Sequence, residues 1–146
     1  MSDELLQSDG FFSFLTGKVS TAISRRLQRN LKLAKLNITS EQWTILYHLW
    51  QEEGLTQQEL ANLTFRDKPS ITRLINNLEK ISLVIRVNDK QDRRSNLIYL
   101  TKEGRKLKEE GMKQSTITLN EAVAGLNLEE LRAAQHILDK VFHNIK

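Results

Sequence analysis

The chain has 146 residues, of which 39% are hydrophobic and 27% are charged, with one proline and no cysteine. A chain of this length can bury about two-thirds of its unfolded surface, so it needs no disulfide or metal to hold a core. The lack of cysteine excludes a disulfide scaffold, a cysteine zinc site and thiol catalysis. No stretch reaches the ~18 apolar residues of a membrane span, and the start of the chain lacks the pattern of a signal peptide. We therefore expect a cytoplasmic protein with no membrane partner.

The net charge of +4 is unevenly distributed along the chain. Residues 66–108 contain twelve lysines or arginines and five acidic residues, whereas the rest of the chain has ten basic and thirteen acidic residues. A basic centre between near-neutral flanks favours a polyanionic partner, although many basic patches are only solvated surfaces.

Two helices are predicted first. Apolar residues at four-residue spacing over residues 11–35 predict one helix. A second helix begins at Thr39, whose spacing to Gln42 is that of a capping box, and Gly54 ends it. The apolar stripe of this second helix is Trp43, Leu46, Tyr47 and Trp50.

Two shorter helices follow, over residues 56–63 and 67–82. Thr56 and Glu59 form the next capping box, and the inward-facing residues predicted for this third helix are Leu60, Ala61 and Leu63. The fourth helix follows Asp67, and its apolar stripe is Ile71, Leu74, Ile75, Leu78 and Ile81.

The sequence pattern then changes period. Residues 84–87 and 97–100 are β-branched or aliphatic runs around a charged segment, which predicts a β-hairpin. Thr101 caps a helix that runs to about residue 124, and Asn127 with Glu130 caps a last one. That last helix carries an apolar heptad, too short for a free coiled coil, at Leu131, Ala134, Leu138, Val141 and Ile145.

The two short helices have the size of a helix-turn-helix, in which the second helix reads base edges in DNA. Arginine can pair with guanine and asparagine with adenine, while serine and threonine contact phosphates or bases. An ordinary polar helix face has a similar composition, but the basic hairpin beside it favours the DNA interpretation. The candidate DNA-binding residues on this helix are Lys68, Pro69, Ser70, Thr72, Arg73, Asn76 and Asn77.

A hairpin next to a helix-turn-helix is a wing, whose tip can place an arginine in the minor groove. The candidate DNA-binding residues at this tip are Asp92, Arg93 and Arg94. We expect the Asp92 carboxylate to hold the Arg94 guanidinium in one rotamer before DNA binds. The alternative is a solvated turn with a weak ion pair.

Several motifs in the centre of the chain have the residues and spacing of a known family: Ser70-Ile71-Thr72-Arg73, Leu78-Glu79, Leu83-Val84, Asp92-Arg93-Arg94, Thr101 and Gly104. By these motifs and by the order of its elements, the chain resembles the multiple-antibiotic-resistance regulator (MarR) family of winged-helix repressors. The resemblance places Ser70, Thr72 and Arg73 on the major-groove helix and Arg94 in the minor groove. One departure is Ser82, where the family usually has a glycine that suits a left-handed helix end.

The expected fold is therefore mainly α, a winged helix-turn-helix with a two-stranded β-wing, in one unit over residues 1–146. Residues 39–100 form the DNA-binding lobe, and residues 11–35 and 101–146 form dimerisation helices. The resemblance implies a homodimer that binds a pseudo-palindromic double-stranded DNA operator and acts as a transcriptional repressor. The sequence independently favours a twofold dimer, since its terminal helices carry more apolar surface than a small winged domain can cover.

The resemblance also implies a small aromatic or anionic effector. The candidate residues for its pocket are Arg25, Arg26, Arg29, Trp43 and Tyr47. The aromatic residues fit the core equally well, and the arginines fit solvent or phosphate contacts. His136 and His143, with Asp139 between them, are too weak a pattern for a predicted metal site.

Two other binding functions stay open from sequence, and an enzyme is not expected. A non-specific, architectural DNA-binding protein would be more strongly basic. A winged-helix module for protein–protein contacts would carry an apolar or acidic helix face. An enzyme would need a cluster of acids, bases or a nucleophile, and the sequence contains none, so we expect no catalytic residue and no cofactor.

Overall fold

The computed structural model describes residues 3–146 and is mainly helical, with a small antiparallel sheet. This architecture confirms the predicted fold class. The N-terminal region comprises α1 (Asp3–Leu6), α2 (Asp9–Ser13), a π-helical turn (Phe14–Lys18) and α3 (Val19–Leu33). The central lobe comprises α4 (Ser40–Gln51), β1 (Leu55–Thr56), α5 (Gln57–Thr64), α6 (Lys68–Lys80), β2 (Val84–Asn88) and β3 (Asn96–Leu100). The C-terminal region comprises α7 (Lys102–Lys106), α8 (Lys108–Ala122) and α9 (Leu128–Ile145).

Local capping fixes where the helices begin. The predicted capping boxes at Thr39, Thr56 and Asn127 all form, with each cap side chain accepting from the third residue of its helix. Asp67 caps α6 in the same way, because its carboxylate accepts from the Ser70 N–H at 2.8 Å. That hydrogen bond lowers the pKa of Asp67 below its usual value.

The helix predicted over residues 11–35 is wrong as one continuous element. Gly17 adopts a φ of 145°, which breaks the helix within the π-helical turn. A glycine reaches this conformation without steric clash, whereas other residues do not. At the other end α3 stops at Leu33, and Lys35 takes a left-handed φ of 62°.

Two further predictions need correction. Leu63 is 54% exposed rather than inward-facing, because the covered stripe of the short helix α5 consists of Leu60 and Ala61. Ile81 is also exposed, at 43%, since it follows the last residue of α6 as its C-cap. The helix predicted after Thr101 is divided into α7 and α8 at Leu107.

The sheet attaches the wing to the helix-turn-helix. The predicted hairpin forms, with Val84 opposite Leu100 and Asn88 opposite Asn96. A third strand, β1, pairs with β3 so that β3 lies in the centre of the sheet. Because β1 runs directly into α5, this pairing holds the base of the wing beside α5.

The hydrophobic core lies between α3–α6 and the sheet. Trp50 is buried, and its indole N–H donates to the Gly104 carbonyl at 3.0 Å. Trp43 donates in the same way to the Gly111 carbonyl at 2.9 Å. These two contacts fasten α7 and α8 to the lobe. Within residues 3–146, no helix combines the length and apolarity that crossing a membrane requires.

Candidate nucleic-acid interface

Helix α6 buries one side and presents the other to solvent. Ile71, Leu74, Ile75 and Leu78 are buried against the core. The outer side is an open surface formed by Lys68, Pro69, Thr72, Arg73, Asn76, Asn77 and Lys80. The structure therefore brings six of the seven predicted α6 residues together. Ser70 lies apart from them, half-buried at the capped start of the helix.

Two arginines, one on α6 and one at the wing tip, are available for a partner. Arg73 on α6 and Arg94 at the wing tip are exposed. Neither takes part in the ion pairs found among residues 3–146. Since an unpaired guanidinium needs no internal bond broken before it binds a base or phosphate, both are suited to bind an anionic partner.

Sequence reasoning missed a third arginine, Arg86 on β2. Its guanidinium contacts Glu79 at 2.8 Å and Asn76 at 2.6 Å, and both of these residues lie on α6. Its Nε–H donates to Gln57 at the start of α5, at 3.2 Å. The side chain is only 20% exposed. Arg86 therefore joins the wing to both helices of the helix-turn-helix, through partners that lie too far apart in sequence for a local pattern to reveal.

The wing tip is organised differently from the prediction. The Asp92 carboxylate accepts from the backbone N–H of Arg94 at 3.0 Å and from the Ser95 hydroxyl at 3.4 Å. The expectation that it holds the Arg94 guanidinium is wrong for this structure. A carboxylate bonds readily to a backbone N–H two residues on, whereas an ion pair on an exposed turn contributes only ~0–1 kcal/mol. Asp92 thus shapes the turn that carries Arg93 and Arg94.

The junction between α6 and the wing has a left-handed residue where the sequence departs from the pattern of the family that it resembles. Ser82 has a φ of 62°. The Leu83 N–H donates to the Leu78 carbonyl at 3.0 Å, which closes the end of the helix. Thr101 donates its hydroxyl to the Ser82 carbonyl at 2.7 Å. The turn that a glycine would favour is therefore present, although a serine occupies it.

Comparisons with the sequences of known proteins identify the family of this chain. Residues 38–95 match the model of the MarR family. The organic hydroperoxide resistance transcriptional regulator of Bacillus subtilis (strain 168) is 33% identical over 125 residues, which cover 84% of this chain and 85% of that protein. The chain belongs to the MarR family. It is thus a DNA-binding transcriptional regulator of the MarR type, not an enzyme.

Solved structures of MarR-type proteins share the fold. S. aureus MepR, in a complex with DNA, is 30% identical with a TM-score of 0.84, covering 92% of this chain and 98% of that one. A mutant of E. coli MarR complexed with operator DNA is 25% identical with a TM-score of 0.77, covering 84% and 87% of the two chains.

Three of the five residues predicted for an effector pocket have structural contacts within the protomer. Trp43 and Tyr47 stack on each other with ring centroids 5.3 Å apart, and Trp43 bonds to α8 as described above. Arg26 pairs with Glu121 at 2.8 Å, while Arg25 and Arg29 are exposed on α3. Trp43 is therefore a packing residue in the protomer, and the effector role of these MarR-family positions stays a prediction.

Proposed function

We propose that this MarR-family chain binds operator DNA as a homodimer and represses transcription, with α6 in the major groove and the wing tip in the adjacent minor groove. The observation that carries the proposal is the outer side of α6, where cationic and amide side chains lie together on an open surface. Such a set contains both phosphate contacts and base-reading groups. The DNA complexes of the related proteins from S. aureus and E. coli support this proposal.

Different residues of this surface serve different purposes. Arg73 lies in the middle of α6, where a guanidinium can pair with guanine O6 and N7. Lys68 and Lys80, near the two ends of the helix, suit the phosphates on either side of the groove. Arg94 lies at the wing tip, and the negative potential of a narrow minor groove attracts an inserted arginine.

The uncovered terminal helices support the homodimer. No residue of α2, of the π-helical turn or of α9 is buried in the protomer. The exposed apolar side chains on these elements include Phe12 (66%), Phe14 (56%), Leu15 (48%), Ile137 (58%), Leu138 (57%) and Ile145 (79%). An apolar surface of this kind favours a twofold partner, which would place two reading helices about 34–36 Å apart.

The proposal includes release from the operator by a small aromatic or anionic effector. A ligand need only favour a dimer whose reading helices have the wrong separation. A preference of about 1.4 kcal/mol for that state changes occupancy of the operator tenfold. Once an operator is known, screening aromatic acids and phenols for release of the protein from it tests this part.

Selection of bound sequences from a random duplex pool tests the operator proposal, with affinities then measured at two salt concentrations. We expect a pseudo-palindrome with half-sites about one helical turn apart. A pool that stays unenriched, with weak binding only in low salt, would favour the architectural alternative. Absence of binding to any duplex would favour a protein-binding role for the winged helix.

Sedimentation of the purified chain tests the dimer. Leu138→Asp on α9 should convert the dimer to monomer, because it places a charge in the proposed apolar interface. Ile85→Asp is the matched control, since Ile85 is similarly exposed, at 47%, but lies on the wing strand β2. Monomeric wild-type protein, or equal dissociation by both variants, would contradict the proposed interface.

A further inference from the structure

We propose that Arg86 fixes the direction of the hydrogen bonds on the outer side of α6, so that Asn76 reads DNA through its amide donors and Thr72 offers only an acceptor and its methyl group. Arg86 is then a positioning residue for sequence specificity, not itself a contact to DNA. The inference rests on the proposed function, because it concerns the bases that α6 selects.

The argument starts from the chemistry of the guanidinium. An arginine side chain has five N–H donors and no acceptor, so any polar atom that approaches it must be an acceptor. The atom of Asn76 that lies 2.6 Å from Arg86 Nη2 is therefore the amide oxygen Oδ1. By the same reasoning, Gln57 faces Arg86 through Oε1, at 3.2 Å.

Gln57 links Arg86 to Thr72 on α6, so the orientation of the Gln57 amide determines which hydrogen bond Thr72 accepts. With Oε1 turned to Arg86, the Gln57 amide nitrogen donates to Thr72 Oγ1 at 2.9 Å. Thr72 in turn donates its only hydroxyl proton to the Lys68 carbonyl at 3.0 Å. Thr72 has no proton left for DNA, and it retains one lone pair and a methyl group.

These directions restrict the bases that each side chain can recognise. Pairing of an asparagine with adenine requires both its amide oxygen and its amide nitrogen. Arg86 holds one lone pair of the Asn76 oxygen and fixes the orientation of the amide, which disfavours the paired contact that adenine requires. The amide nitrogen has no partner among the described residues and fits acceptors such as guanine O6 or thymine O4. Thr72 can accept from an adenine or cytosine amino group, or pack against a thymine methyl. Asn77 has no such bond among the described residues and keeps both groups.

Burial and charge hold Arg86 in this position. Its side chain is 20% exposed, and Glu79 neutralises its charge through a 2.8 Å contact. If the guanidinium moved to a phosphate, the acceptors on Glu79, Asn76 and Gln57 would each lose the hydrogen bond from Arg86. The ion pair and the two amide contacts therefore favour an internal role over a phosphate contact.

A DNA-free measurement tests the geometry by itself. In a 1H–15N spectrum, the side-chain NH2 signal of Asn76 is identified as the one lost in Asn76→Ala. Arg86→Met removes the donors but keeps an apolar stem of similar length, so it should shift this signal. Arg93→Met removes the same charge from the wing tip and should leave the signal unmoved. An Asn76 signal that Arg86→Met does not move would overturn the inference, whatever the chain does with DNA.

Pool selection with the same variants tests specificity. The base position that loses its preference in Asn76→Ala is the one that Asn76 reads. Wild type should select guanine or thymine there, and Arg86→Met should shift the preference toward adenine by about tenfold, the lower part of the range for one bidentate pair. Arg93→Met should weaken binding to all sequences alike without changing the preferred base.

Other results of the selection overturn the inference. These are adenine selected by the wild type at that position, no position that depends on Asn76, or the same preference in wild type and Arg86→Met. If the wild-type pool shows no enrichment although the Asn76 signal shifts as expected, the operator proposal itself has failed and the specificity role falls with it.

Discussion

Replacement of Ser82 by glycine should stabilise the fold. Ser82 holds a left-handed φ of 62° at the junction of α6 and the wing. Its side chain is exposed, and the 2.7 Å bond from Thr101 goes to its backbone carbonyl. The substitution therefore removes a Cβ from an unfavourable conformation and keeps the hydrogen bonds of the turn.

The size of the effect is the difference of two terms. An L-residue in the left-handed region costs about 1–2 kcal/mol. Glycine offsets about 0.5–1 kcal/mol of this gain, because the unfolded chain with glycine has more conformational entropy to lose on folding. The net gain for Ser82→Gly is therefore ~0–1.5 kcal/mol with a midpoint of about 0.75 kcal/mol, and that midpoint is a rise of ~1.5–3 °C in Tm for a domain of this size.

Urea unfolding at a fixed protein concentration measures this gain, since association with a partner chain would shift the apparent stability. The midpoint should rise while the m-value stays constant. Ser82→Ala keeps the Cβ and should stay within about 0.5 kcal/mol of wild type. Lys35→Gly, at the other left-handed position of 62°, should give a similar and additive gain. Equal stabilities for Ser82→Gly and Ser82→Ala would refute the reasoning.

Four further predictions concern DNA binding and pH. Arg73→Ala should cost ~1–3 kcal/mol at the selected operator and relax preference at one base position; equal loss on random DNA would make Arg73 a phosphate contact only. Arg94→Ala should weaken binding and reduce the salt slope by about one, as read from affinities at several salt concentrations. Asp92→Ala should weaken binding although it removes a negative charge, because the turn under Arg94 loosens; tighter binding would favour simple repulsion. The bidentate hydrogen bonds from Arg105 lower the pKa of Glu53 below its usual 4.5. Its stabilising contribution is thus present above that pH and lost as pH falls through the folded value, so acid titrations of unfolding should be flatter for Glu53→Gln than for wild type.

Local signals let the sequence predict much of the fold. The capping pairs begun by Thr39, Thr56 and Asn127 each need only residues three apart, and all three form. The β-branched and aliphatic runs at residues 84–87 and 97–100 predict the hairpin, and the register of β2 and β3 agrees with it. The short strand β1 was missed because two residues, Leu55 and Thr56, are too few to show a period.

The errors arise where a local pattern competes with tertiary contacts. Gly17 lies within a regular apolar repeat, and nothing nearby in sequence shows that its φ becomes positive. The partner of Asp92 was misassigned because a carboxylate near an arginine can bond to either its backbone or its side chain. Arg86 was missed because Gln57 and Asn76 reach it from other elements. The candidate surface was therefore predictable as a face of α6 and a wing tip, but its hydrogen-bond directions required the fold.

The measurement that tests the account most directly is the ratio of two affinities at physiological salt. One is for the duplex selected from the random pool, and the other is for a scrambled duplex of the same length and composition. The account predicts a ratio of about 10³ or more, with two chains bound to each selected duplex. A ratio near one, or a single chain on each duplex, would contradict a dimer that reads a specific operator through α6.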